Sequence, residues 1–119
     1  MNDSITFRRG DVVMVNLDPV VGREIGSSRP AVVVQNDVGN RFSPTLIVAA
    51  ITGFSKAKAK FPFCVAVRAG EGGLSKDSIV NAALIRTIDK RRIAGTPLGR
   101  LQALTFDSVD EALRVSLAL

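Results

Sequence analysis

The feature that most constrains this chain is a series of short, β-branched apolar runs, each bounded by proline or glycine. Residues 11–17 (DVVMVNL) lie between Gly10 and Pro19, residues 31–35 (AVVVQ) follow Pro30, and residues 46–52 (LIVAAIT) follow Pro44. Residues 63–67 (FCVAV) follow Pro62, and residues 79–88 (IVNAALIRTI) supply a fifth run. Val- and Ile-rich runs of this length suit extended backbone. Five of them with turn residues between predict a small, strongly curved sheet or barrel. Aromatic residues are only 5% of the chain, all of them Phe, so the core must be built from Val, Ile, Leu and Ala. At 119 residues the expectation is one domain spanning 1–119.

The last quarter changes pattern. Thr96-Pro97 resembles an N-cap followed by proline at the first helical position, which predicts a short helix through Leu98, Leu101 and Leu104. Asp107 is the expected cap of a final helix, with Val109, Ala112, Leu113, Ser116 and Leu117 on one face covering the open end of the barrel. The predicted fold class is therefore mainly β with added helices. Three connections are long and polar: residues 18–30, 53–61 and 68–78. Long loops on a small barrel are frequent carriers of function.

Composition removes several chemistries. There is no His and a single Cys, Cys64, in the apolar run FPFCVAV. Common zinc sites and histidine triads are thereby excluded, no intramolecular disulfide can form, and a buried inert thiol is expected. No metal and no cofactor are expected. The chain holds no apolar run near the roughly 20 residues of a membrane span. Its opening, MNDSITFRRGD, has no signal-peptide h-region, so a cytoplasmic protein is expected. The net charge of +5 favours an acidic partner, with a phosphate backbone or an acidic protein segment as the two natural classes.

The polar residues beside the strand ends are the candidates for a site. Arg29 precedes Pro30, which biases its backbone to an extended form, and a guanidinium matches phosphate with two parallel donors. Thr52 ends the third run just before Gly53, where its hydroxyl can donate to a phosphate oxygen; strands also favour Thr for its shape alone. Glu24 lies between Gly22 and Gly26 and reads either as a loop base or as a solvated charge. Ser27 and Ser28 read as turn residues. Lys56, Lys58 and Lys60 alternate, so an extended segment would align them along one side. Phe54 and Phe61 flank that run and suit either stacking on unpaired bases or core packing. Arg86, Lys90, Arg91 and Arg92 form the other basic concentration.

Beyond these single positions, the stretch RRGDVVMVNLDPVVGREIGSSRPAVVVQND resembles the N-terminal half of MazF/PemK toxins. The resemblance continues through NRFSPTLIVAAIT and DSIVNAALIRTIDKRRI and spans about residues 8–117. It implies an SH3-like barrel of the MazF/CcdB/Kid type with added helices, usually a homodimer with RNA-binding grooves at the interface. It also implies sequence-specific, metal-independent cleavage of single-stranded RNA to 2′,3′-cyclic phosphate and 5′-hydroxyl ends. The implied partner is an antitoxin with an acidic, disordered segment. On these motifs the catalytic arginine falls on Arg29, the catalytic threonine on Thr52, and the loop glutamate on Glu24 as an accessory group. Ser27, Ser28, Lys56, Lys60, Phe61 and Arg86 are the expected RNA-binding residues. The chain departs from the family where Glu-Gln or Asp-Gln usually precedes the IRTID motif and here stand Ala83-Leu84. Those polar groups help to read bases in relatives, so no recognition sequence carries over.

Two other readings share the fold. A CcdB-like gyrase poison relies on a C-terminal tryptophan, whereas this chain has no Trp and ends in Leu-Ala-Leu. An inactive RNA-binding barrel fits the basic charge equally well.

Overall fold

The computed structural model describes residues 5–19, 21–24 and 26–119. Six antiparallel strands form one sheet: β1 (Asp11–Asn16), β2 (Ser28–Val33), β3 (Thr45–Gly53), β4 (Cys64–Val67), β5 (Ser78–Asp89) and β6 (Ile93–Arg100). Their order is β4-β5-β3-β2-β1-β6. Three helices are added, α1 (Asp37–Phe42), α2 (Lys56–Ala59) and α3 (Ala103–Leu117). The five runs read from the sequence are β1 to β5.

Alternation along the strands divides the core between two faces. Val12, Val32, Val34, Ala49, Ile51 and Val80 pack on one face with Val109 of α3. Val13, Val15, Ala31, Val33, Leu46, Val48 and Ile88 pack on the other with Phe7 and Leu17. A sheet buried on both faces explains why the runs are continuously apolar rather than alternating with polar residues. Each fully buried valine contributes about 1.5–3 kcal/mol relative to exposure.

The sheet curls until the connection between β4 and β5 meets β6. A 3₁₀ turn at Glu71–Gly73, between β4 and β5, lies against β6. A Cβ on Gly73 would stand 2.2 Å from the Leu98 carbonyl oxygen, and one on Gly99 would stand 2.5 Å from the Gly72 carbonyl carbon. Only glycine lets the two backbones meet this closely. The contact joins β6, one edge of the sheet, to the turn that follows the other edge strand β4, and gives a barrel-like shape with no ladder between β4 and β6 among the described residues.

Two expectations for the C-terminal quarter are corrected. Thr96 and Pro97 belong to β6 and do not open a helix. The β1–β6 register jumps from Val12↔Gly99 to Met14↔Ala94, so Thr96-Pro97 falls in a bulge with Gly95 in the left-handed region. An edge strand with a bulge accepts a proline that lacks an N–H. The final helix starts at Ala103, not after Asp107, which is exposed within it. Its cap residue Gln102 offers no side-chain bond; instead its backbone N–H donates to Glu71 Oε2 at 3.0 Å. Of the expected apolar face, Val109, Ala112 and Leu113 pack against one side of the sheet, whereas Leu117 is exposed and does not belong to the covering face. Two short helices were not anticipated. In α1, Asn36 Oδ1 caps Gly39 N at 2.8 Å; in α2, Ser55 Oγ caps Lys58 N at 3.0 Å.

Candidate active site

Arg29 lies in β2, rather than at the edge of the preceding loop, and is opposite Val15 of β1. The β2–β3 pairing runs Val33↔Val48, Val32↔Ala49, Ala31↔Ala50. The ladder ends there, and Arg29 and Thr52 lie two residues beyond it on the two strands. Alternation along the strands puts both on the face of Ala31, Val33 and Val48. The two side chains line one open pocket of about 240 Å³ with Ser28, Pro30, Gly53, Lys76 and Ser78.

The polar atoms in this pocket are unevenly satisfied. Thr52 Oγ1 is buried and has no hydrogen-bond partner among the described residues. An unpaired buried hydroxyl costs about 1–3 kcal/mol, and such costs concentrate where a ligand supplies the partner. Arg29 Nε donates to the Gly26 carbonyl at 2.9 Å, while its two terminal nitrogens bond to no described residue. The guanidinium is thus held by one edge, and its remaining donors meet no partner among the described residues. Ser78 Oγ donates to the Lys76 carbonyl at 2.8 Å, which fixes the strand entrance that carries Lys76.

Lys76 and Ser78 were not singled out from the sequence. Their proximity follows from Gly53↔Ser78 pairing between β3 and β5, a contact across some 25 residues that no local motif announces. The spacing of DS before the apolar run IVNAALI was the available signal.

A second cavity of about 200 Å³ lies beside the first, lined by Leu17, Glu24, Val48, Ala50, Ala83, Leu84, Ile85 and Arg86. Ala50 stands two residues from Thr52 on β3, so the cavities adjoin along one strand at roughly 7 Å. Glu24 lines this second cavity and is not among the residues lining the pocket of Arg29 and Thr52. Its Oε1 accepts from Val21 N at 2.8 Å, which stabilises the loop turn. Ala83 and Leu84 stand at a β5 irregularity, where the β3–β5 register jumps from Ala49↔Ile85 to Ile51↔Val80. Bulges of this kind re-aim side chains beside active sites.

The basic residues divide into engaged and free groups. Arg86 Nη1 donates to the Leu17 carbonyl at 2.6 Å, so Arg86 supports the loop as well as lining the second cavity. Lys90 Nζ donates to the Asn40 carbonyl at 2.7 Å, and Arg91 pairs with Asp89 at 3.1 Å. That ion pair holds the exposed Asp89 carboxyl below its usual range, first through the Arg91 side-chain hydrogen bond. The cluster 86–92 is therefore mostly consumed in holding turns. The three alternate lysines do not align along one side: Lys56 and Lys58 lie in the helical turn α2 and Lys60 caps it, so Lys56 and Lys60 share a side without Lys58. All three are exposed. Phe61 is half exposed and stacks on Phe63 with centroids 5.1 Å apart. Lys56, Lys60 and Phe61 line neither cavity, whereas Ser28 lines the first. Ser27 adopts a left-handed backbone, φ 65°, just before β2. Cys64 is partly rather than fully buried, and burial pushes its thiol pKa up. Among the described residues, no group of three or more His, Cys, Asp or Glu side chains comes together as a metal site, and no helix is long and apolar enough to cross a membrane.

Residues 8–117 match the family model described as PemK-like, MazF-like toxin of type II toxin-antitoxin system. The chain is 51% identical over 112 residues to endoribonuclease EndoA of Bacillus subtilis (strain 168), covering 94% of this chain and 95% of that protein. Among solved structures, MazF of Deinococcus radiodurans shares the fold with a TM-score of 0.82 at 25% identity, over 98% of this chain and 100% of that one. An endoribonuclease in complex with its cognate antitoxin, from a mycobacterial species, shares it with a TM-score of 0.75 at 24% identity, over 96% and 97%. The barrel-like sheet, the pocket between β2 and β3 and the match over nearly the whole length agree: the chain belongs to the MazF-like, PemK-like family of type II toxins.

Proposed function

We propose that the protein is the toxin of a type II pair and a metal-independent endoribonuclease acting on single-stranded RNA, with Arg29 and Thr52 at the chemistry. The observation that carries this reading is the buried Thr52 hydroxyl, without a partner among the described residues, in the same pocket as the Arg29 terminal nitrogens. The endoribonuclease name of its half-identical relative supports the activity.

In the proposed reaction the RNA 2′-oxygen attacks the adjacent phosphorus and the bond from phosphorus to the 5′-oxygen breaks. The 2′-hydroxyl loses its proton to a base, and the leaving 5′-oxygen gains one. The products are a 2′,3′-cyclic phosphate and a 5′-hydroxyl. Negative charge grows on the non-bridging oxygens at the transition state. The Arg29 nitrogens and the Thr52 hydroxyl stabilise it, each such donor contributing about 2.7–4 kcal/mol. A guanidinium stays protonated at neutral pH and makes a poor base. Glu24, on the loop that leads into Arg29, is the accessory proton acceptor of this scheme; an unaltered pH–rate profile in Glu24→Gln would remove it.

RNA reaches the site along Ser27, Ser28, Lys56, Lys60, Phe61, Lys76 and Arg86. The protein acts as a cytoplasmic homodimer and is restrained by an antitoxin whose acidic segment complements the +5 charge. The complex of a mycobacterial endoribonuclease with its antitoxin supports this partner class. The test is incubation with single-stranded RNA in excess EDTA, with mapping of the ends. Persistent cleavage leaving cyclic phosphate and 5′-hydroxyl ends is expected. Loss of cleavage in the chelator, or 5′-phosphate ends, would contradict the proposal.

A further inference from the structure

Three successive carbonyls at the end of β1 are each taken by a guanidinium distant in sequence. Arg86 Nη1 donates to the Leu17 carbonyl at 2.6 Å. Arg92 Nη1 donates to the Asn16 carbonyl at 3.1 Å and also to the Asp18 carbonyl. Arg92 is placed by the turn that carries it. It ends the 3₁₀ turn Lys90–Arg92, which is capped by Asp89 Oδ1 accepting from Arg91 N at 2.8 Å. The same turn is tied to the sheet by Lys90 N donating to the Pro44 carbonyl at 3.0 Å.

The clipped segment controls the other end of the loop. Asp18 Oδ1 accepts from Ser27 N at 2.8 Å, and Leu17 N donates to the Ser27 carbonyl at 3.1 Å. Ser27 is one of only two non-glycine residues with positive φ among those described, a conformation that L side chains resist and the surrounding bonds must impose. Immediately before it, the Gly26 carbonyl accepts Arg29 Nε at 2.9 Å. A path of hydrogen bonds linked by short covalent segments therefore runs from Arg92, through Asp18 and the Gly26–Ser27 peptide, to the edge of the Arg29 guanidinium.

We propose that Arg92 is a positioning residue for Arg29: by clamping the carbonyls of Asn16 and Asp18 it fixes Ser27 and the Gly26 carbonyl, and so aims the Arg29 terminal nitrogens into the pocket beside Thr52. This rests on the assignment of Arg29 to the chemistry. Arg92 lines neither cavity and does not touch RNA in this scheme. Its effect falls on the geometry of the reacting complex rather than on RNA affinity.

The test compares unsubstituted protein, Arg92→Ala, Arg92→Lys, Arg29→Ala and the Arg29→Ala/Arg92→Ala double variant on one single-stranded RNA. Misplacing a catalytic donor by a fraction of an ångström to an ångström lowers turnover about 10- to 100-fold. Arg92→Ala should lower kcat by that factor with KM within about twofold. Arg92→Lys, which can still donate to both carbonyls, should recover most of the loss. In the Arg29→Ala background, removing Arg92 should cost nothing further, since both act through one group. A raised KM at unchanged kcat would mark Arg92 as an RNA contact and overturn the proposal, as would full additivity. A second readout is independent of cleavage: amide exchange at Leu17 and Ser27 should accelerate about tenfold or more in Arg92→Ala while Val32 stays protected. Unchanged exchange at both amides overturns the clamp even if the protein cleaves nothing, whereas absent cleavage by unsubstituted protein counts against the endoribonuclease assignment itself.

Discussion

Replacing Thr52 by valine should change stability and activity in opposite directions. Valine keeps the shape and the β-branch and removes only the hydroxyl oxygen, which is buried without a partner among the described residues. Burying an unsatisfied polar group costs about 1–3 kcal/mol. Thr52 as a residue is only partly buried, so the low end of that range applies, about 1 kcal/mol in favour of the variant. Unfolding entropy near 2.1 cal/mol/K per residue gives about 0.25 kcal/mol/K for a chain of this size, so Tm should rise by about 4 °C. Cleavage should fall about 10²- to 10³-fold, the cost of deleting one donor to a developing oxyanion. Calorimetry and single-turnover cleavage of a labelled RNA measure the two effects on the same preparation. A variant less stable than the parent by 1 kcal/mol or more would show that Thr52 Oγ1 is satisfied in the folded protein. Unchanged cleavage would show that the hydroxyl is not part of the chemistry.

Other consequences reach beyond that residue. Lys76→Ala should raise KM several-fold with little change in kcat, and the salt dependence of RNA binding should weaken by about 0.7 in logarithmic slope, as for one lost phosphate contact on a single strand. An unchanged slope would take Lys76 out of the interface. Gly73→Ala should destabilise by about 3 kcal/mol, because its Cβ meets the Leu98 carbonyl at 2.2 Å and its φ is +75°. Urea unfolding measures this, and a loss below about 1 kcal/mol would mean that the contact between the turn and β6 is soft. The Asp37 carboxyl is held below its usual value of 3.8, first by the Arg9 backbone N–H and then by the Asn40 side chain. A depressed folded value contributes stability above the unfolded pKa and loses it as pH falls through the folded one. The Tm advantage of the parent over Asp37→Asn should therefore be constant above about pH 5 and close below about pH 4; a gap that widens in acid would contradict the assignment.

The strands were legible because their apolar runs are punctuated by proline and glycine, and β1 to β5 fall where those runs lie. The sixth strand was not. Thr96-Pro97 carries a helix-start pattern, and only the edge position and the bulge opposite Val13 let it stay extended. A rule for local backbone preference lost there to long-range pairing. The helix α1 escaped notice because six residues give no period to read. The pairing of Arg29 with Thr52 was named through resemblance alone. Its physical basis, a single pocket lined from β2 and β3, appears only once the strands are side by side. The alternate lysines misled for a related reason, since period two has meaning in a strand and Ser55 caps a helical turn instead. Lys76, Ser78 and the clamp of Arg92 depend on contacts between segments far apart in sequence, and no window of residues displays them.

The most direct test of the account uses an RNA carrying a single 2′-deoxy nucleotide immediately 5′ of a mapped cleavage site. Attack by the neighbouring 2′-oxygen requires that hydroxyl, so cleavage at the substituted site should disappear while other sites in the same molecule are cut at the parent rate. Continued cleavage at the deoxy position would contradict the account, because the phosphate would then be opened by water and Arg29 and Thr52 would serve a different reaction.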